Sequence, residues 1–248
     1  MSRNFELLQR ASREDQWRGD APAQPPVGRT YEMRPVPDAH VLSREKLMKL
    51  VQIVFFPPGK ESCRVVVFAG PVSGTGCSSI CMAAAEALAA QTEETVCLVD
   101  SNLRLPSLHL CLGVENRQGL SEALMDGEPI RKYLQKLPAP NLWFLPSGRS
   151  SSPRLGAISS SRLAARVVEL RQEFRYILMD SPPVNVYSDA VPLGQVADGV
   201  ILVVAANSTR REAACKAKAC FESAGSRLLG VVWNNRTYPI PQAIYDRL

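Results

Sequence analysis

Short, continuous runs of apolar and β-branched residues recur along this sequence, and segments of helical periodicity separate them. The runs are Arg64-Val-Val-Val-Phe-Ala-Gly70, Thr95-Val-Cys-Leu-Val-Asp100, Asn141-Leu-Trp-Phe-Leu145, Arg175-Tyr-Ile-Leu-Met-Asp180, Gly199-Val-Ile-Leu-Val-Val204 and Leu228-Leu-Gly-Val-Val-Trp233. The helical segments are Ser78–Gln91, Gly119–Met125, Ser159–Phe174 and Arg210–Ala224, preceded by Ser43–Phe56 with Leu47, Leu50, Val51 and Val54 on one side. A strand with one wet face alternates apolar and polar residues. These runs do not alternate, so both of their faces must be covered. The expectation is an α/β fold: a mainly parallel sheet with helices on both faces, three layers in all.

The 248 residues accommodate one such domain plus tails. Residues 3–12 place Phe5, Leu8 and Ala11 at helical spacing, and residues 18–40 hold Pro22, Pro25, Pro26, Gly28, Pro35 and Pro37 with no apolar period. Residues 1–42 therefore read as a short N-terminal helix and a flexible linker, and residues 43–248 as the folded domain with a C-terminal tail. Residues 148–158, rich in Ser, Gly and Pro, read as a loop.

The net charge is +5, and residues 207–248 carry seven Lys/Arg against three Asp/Glu. That bias is compatible with an acidic partner or an anionic membrane surface. It is too weak to argue for nucleic acid, and no nucleic-acid partner is expected. Seven cysteines without zinc-ligand spacing read as reduced, small core residues, with Cys63, Cys97 and Cys215 in apolar contexts. No segment reads as a secretory leader. The longest clean apolar run, Val200–Ala206, is far too short to span a bilayer. The expected location is cytoplasmic, peripheral at the inner face of the plasma membrane through a partner.

Three strand ends carry chemistry. The first is Gly70-Pro-Val-Ser-Gly-Thr-Gly-Cys-Ser-Ser79, and a helix follows at once. A glycine-containing turn into a helix N-terminus directs backbone N–H groups and positive potential at one spot, which suits nucleotide phosphates. The Walker A pattern places Gly-Lys-Ser/Thr there. This chain has Gly76, Cys77 and Ser78, and Pro71 replaces the leading glycine. The loop alone is equally compatible with an ordinary turn. The second and third strand ends are Asp100 and Asp180, each closing an apolar run. Ligands of open α/β sheets sit at these carboxyl ends, and an acid there beside a phosphate loop is the Walker B arrangement for Mg²⁺. Either aspartate alone could be a loop residue or a helix cap.

With these residues in view, the chain resembles the bacterial tyrosine kinase (BY-kinase) family of capsule and exopolysaccharide synthesis, within the MinD/ParA-type P-loop ATPases. Leu98-Val-Asp-Ser-Asn-Leu-Arg-Leu-Pro-Ser-Leu-His109 is similar to the family's Walker A′ motif, and Tyr176-Ile-Leu-Met-Asp-Ser-Pro-Pro-Val184 with Ser188-Asp189-Ala190 to its Walker B segment. The resemblance spans about residues 43–248. It implies ATP and Mg²⁺ as cofactors. Gly74, Thr75, Gly76, Cys77, Ser78 and Ser79 would hold phosphate, Ser78 and Asp180 would hold the metal, and Asp100 would be a base or metal contact. Asn234 would face adenine, and Arg104 would belong to the catalytic Walker A′ group in a role left open. It further implies a membrane-embedded polysaccharide chain-length or export protein as partner, and self-association into a homo-oligomer.

The departures from that pattern shape the functional reading. Cys77 stands at the lysine position, Asn102 where many members have a second aspartate, and Glu45 with Lys49 is what remains of the oligomerisation motif. Only Tyr238 and Tyr245 follow the last strand. Three readings follow. The first is an ATP-binding, tyrosine-kinase-like protein with Mg·ATP-dependent autophosphorylation. The second is a pseudokinase that scaffolds or regulates an export machine. The third is a MinD/ParA-type positioning ATPase. Cys77, at a helix N-terminus, is expected to have a lowered pKa and a reactive thiol. Trp143 and Trp233 are expected in the core.

Overall fold

The computed structural model describes residues 43–59, 62–149, 160–206 and 208–235. The helix and linker expected at residues 1–42, and Tyr238 and Tyr245, lie outside the described residues. The strands are β1 (Val65–Ala69), β2 (Val96–Asp100), β3 (Gln135–Lys136), β4 (Leu142–Leu145), β5 (Tyr176–Asp180), β6 (Gly199–Ala205) and β7 (Leu228–Asn234). The helices are α1 (Arg44–Phe55), α2 (Cys77–Ala89), α3 (Leu108–Leu112), α4 (Leu120–Met125), α5 (Ser160–Glu173), α6 (Ala190–Val196) and α7 (Arg211–Ser223), with one 3₁₀ turn at Ile130–Tyr133.

The seven strands form one sheet in the order β3-β4-β2-β5-β1-β6-β7. Every pairing is parallel except that of β3 with β4. Successive side chains of a strand point to opposite faces, so each run serves two cores. Val65, Val67 and Ala69 of β1 pack with α4, α5, α6 and α7. Val66 and Phe68 pack with α1, α2 and α3. β1, β2, β5 and β6 are buried at every position, which is the reason they carry no polar alternation. The three-layer expectation holds.

Two core assignments need correction. Trp233 is 62% exposed, on β7, which is an edge strand of the sheet among the described residues. Trp143 is partly buried against the core, as expected. Cys215 lies on the exposed side of α7, whereas Cys63 and Cys97 are buried. Among the described residues no helix is long and apolar enough to cross a membrane.

Candidate functional site

The carboxyl ends of β1, β2 and β5 meet at one place because these strands are neighbours in the sheet. From β1 the chain turns through Gly70–Gly76 into α2. Gly74 has φ +81° and Gly76 φ +77°, the left-handed region that glycine enters without steric cost. A Cβ on Gly76 would collide with Nδ2 of Asn234, so glycine is favoured there twice over. No side chain caps the start of α2, which leaves its first N–H groups available to an anion.

Asn234 closes the loop from β7: its Nδ2 donates to the Thr75 carbonyl at 3.0 Å. Its Oδ1 is buried without a partner. The amide expected to face adenine is thus bonded to the phosphate loop. A second brace comes from the segment after β5, where Val184 N–H donates to the Gly70 carbonyl at 3.0 Å and Asn185 N–H to the Pro71 carbonyl at 3.1 Å.

Asp100 and Asp180 are both fully buried. Asp100 accepts N–H bonds from Asn102 (3.2 Å), Ser107 (3.3 Å) and Leu108 (3.3 Å). Burial pushes its pKa up to about 6, and those three bonds hold it from going further. Neither carboxylate oxygen of Asp180 has a well-formed hydrogen bond. Burial pushes it up to about 7 and the charge of Asp100 adds to that, while the Ser78 hydroxyl and the Cys77 thiol lie against it and partly offset the rise. An orphaned buried carboxylate beside a serine hydroxyl is a donor set that a divalent cation fits. Asn102 uses its Oδ1 to accept from Leu105 N–H at 3.1 Å, folding the Walker A′ loop on itself.

The thiol of Cys77 is not activated. Burial and the adjacent Asp180 carboxylate raise its pKa well above the ordinary thiol value, and Cys81 adds to this. Sequence position alone suggested a lowered value from the helix N-terminus. The fold instead places the sulfur against an acid and the core, and both terms oppose a thiolate.

The structure gathers Gly74, Thr75, Gly76, Cys77, Ser78, Asp180 and Asn234, and sets Asp100 beside them. Arg104 lies at the rim. Its Nε donates to Asp189 Oδ2 at 2.7 Å, and its guanidinium carbon is 5.6 Å from the centre of the Tyr187 ring. Asp189, Tyr187 and the backbone of Val184 and Asn185 carried no assigned role in the sequence reading. They lie in the segment that follows Asp180, residues 184–189, but nothing local in the sequence pairs them with Arg104 or Gly70.

A phosphate-type loop feeding a central helix, with acids at neighbouring strand ends of a parallel sheet, defines a P-loop ATPase fold of the MinD/ParA and BY-kinase type. The chain belongs to the family described as cellulose biosynthesis protein BcsQ, which matches residues 63–218. It is 31% identical over 147 residues to the tyrosine-protein kinase YwqD of Bacillus subtilis, covering 59% of this chain and 62% of that protein, so it spans under two thirds of that relative's length. Among solved structures it is similar to the chimerical protein CapA2B2, with TM-score 0.72 and 26% identity over 78% of this chain and 85% of that one. It is also similar to the MinC:MinD cell division protein complex of Aquifex aeolicus, with TM-score 0.58 and 25% identity over 74% of this chain and 72% of that one.

Proposed function

We propose that this chain binds Mg·ATP at the loop of residues 70–79 and acts as a tyrosine-kinase-like subunit in the synthesis or export of an extracellular polysaccharide. It would be held at the inner membrane face by a membrane-embedded export partner. The observation that carries the nucleotide assignment is the Asp180 carboxylate, buried and unbonded, next to Ser78 and to an uncapped helix start. The Gly76 and α2 N–H groups would hold phosphate, and Ser78 with Asp180 would hold Mg²⁺. The metal, when bound, neutralises phosphate charge. The polysaccharide role is supported by membership of a family described by cellulose biosynthesis, and the kinase-like role by the tyrosine-kinase relative.

A second reading, a pseudokinase, is favoured by one specific observation. An uncharged residue type, Cys77, whose pKa burial and Asp180 push up, stands at the position of the phosphate-gripping lysine, and the lysine's charge is worth roughly 10²–10³ in rate. Calorimetric titration with Mg·ATP followed by ³²P transfer separates the readings. Binding with transfer to tyrosine supports the kinase, and binding without transfer supports the pseudokinase. No binding at millimolar ATP removes the kinase reading and the positioning-ATPase reading together, and leaves only a scaffold that works without nucleotide.

A further inference from the structure

We propose that Arg104 is the cation that serves the phosphates in place of the lysine absent at position 77, and that Asp189 holds it in reserve until nucleotide arrives. This rests on the nucleotide-binding reading above and adds to it a mechanism of charge supply.

The site needs a cation that the loop does not provide. Among the described residues, the only hydrogen bonds to Asp100 come from backbone N–H groups, and neither Asp180 oxygen has a partner. Among the described residues no lysine or arginine forms an ion pair with either acid. Apart from Mg²⁺, the phosphate tail would therefore meet only helix N–H groups and two carboxylates.

Arg104 is presented on a loop that the site itself organises. Asp100 accepts the N–H groups of Asn102, Ser107 and Leu108, which pins both ends of the loop to the end of β2. Asn102 Oδ1 accepts from Leu105 N–H, which closes the turn carrying Arg104. The guanidinium is thus tethered through a short, rigid loop to one of the two acids at the phosphate site.

Its present engagement is partial. The contact to Asp189 is made end-on through Nε at 2.7 Å, on a side chain that is 33% exposed. Among the described residues no hydrogen bond uses Nη1 or Nη2, and the planar fork that matches phosphate oxygens in pairs remains free. Asp189 is more deeply placed, with its side chain 10% exposed, so the acid is the fixed member and the arginine the movable one. Tyr187 underlies the parked guanidinium at 5.6 Å. The segment carrying Tyr187 and Asp189 is also the one whose Val184 and Asn185 N–H groups brace Gly70 and Pro71, so reserve and destination share one mechanical frame.

The ligand chemistry is a nucleoside triphosphate, which would draw the guanidinium from a single carboxylate to a more highly charged, bidentate acceptor. The exchange is non-covalent. The test is titration of the full chain with Mg²⁺ and a fluorescent ATP analogue, using wild type, Asp189→Asn, Arg104→Ala and Arg104→Lys, with a thermal melt of each nucleotide-free protein. Asp189→Asn removes the competitor and tightens binding about 2–5-fold, the scale of one partly exposed ion pair. Arg104→Ala weakens binding about tenfold or more, and Arg104→Lys lies between the two. A purely structural clamp makes both Asp189→Asn and Arg104→Ala weaken binding in step with their loss of melting temperature, and that result overturns the proposal. Wild-type binding that Arg104→Ala leaves unchanged overturns it too. Absence of binding by every form, with the wild-type melt intact, overturns the nucleotide reading and this proposal with it.

Discussion

Asp100 and Asp180 are Cα partners at the ends of the adjacent parallel strands β2 and β5, yet the fold uses them in opposite ways. Asp100 is saturated by three backbone N–H groups that organise the following loop. Asp180 keeps both oxygens unbonded. Equivalent places in the sheet thus yield one acid that builds the site and one that is free for a cation.

That contrast has a pH signature. Burial holds Asp180 at about 7 in the folded chain against an ordinary value near 3.8. Between those values the native chain retains a proton that the unfolded chain has lost. The resulting stability is fully present below the unfolded value and is lost as pH rises through about 7. The melting temperature of the nucleotide-free, metal-free protein therefore falls between about pH 5 and about pH 8. Asp180→Asn flattens most of that slope in a scanning-calorimetry series. An unchanged slope would show that Asp180 is already ionised at low pH.

Cys77→Lys restores the missing charge next to Asp180. The added ammonium favours the Asp180 carboxylate and pulls its pKa down. Mg·ATP affinity is expected to rise by about tenfold or more, read by calorimetry. If affinity does not change, the phosphates do not lie against position 77.

Thiol reactivity should follow burial and not helix position. Cys215 is exposed, whereas Cys77 is half-buried and burial and Asp180 push its thiol pKa up. Brief iodoacetamide treatment near neutral pH, mapped by mass spectrometry, should label Cys215 well before Cys77. Preferential labelling of Cys77 would contradict the placement of its sulfur.

Gly74 and Gly76 separate backbone strain from crowding. Both have positive φ, but a Cβ on Gly74 meets nothing within 4 Å while one on Gly76 meets Asn234. Gly74→Ala should cost about 1–2 kcal/mol in urea unfolding, from conformation alone. Gly76→Ala should cost about 1–3 kcal/mol more, and combining it with Asn234→Ala should recover part of the difference. Equal costs for the two glycines would remove the Asn234 contact as a constraint on the loop.

Much of the fold was legible in the sequence because its signals are local. Six of the seven strands and the longer helices α1, α2, α5 and α7 appear within a residue or two of where the apolar runs and helical periods place them. The short pieces α3, α6, β3 and the 3₁₀ turn were not anticipated, since two to seven residues are too few to establish a period. Trp233 looked like a core residue because an edge strand and a central strand carry the same apolar letters. Only the sheet order says which one lacks a neighbour.

The sequence by itself determined that a parallel, doubly covered sheet would form, that a glycine loop would enter a helix, and that two acids would end two strands. Each of these follows from residue type and spacing over a few neighbours. Tertiary structure alone decided that β2 and β5 are adjacent, that Asp100 is bonded by three N–H groups while Asp180 is not, that Arg104 rests on Asp189, and that the Cys77 thiol pKa is pushed up. Those outcomes depend on desolvation and on partners brought together from distant parts of the chain.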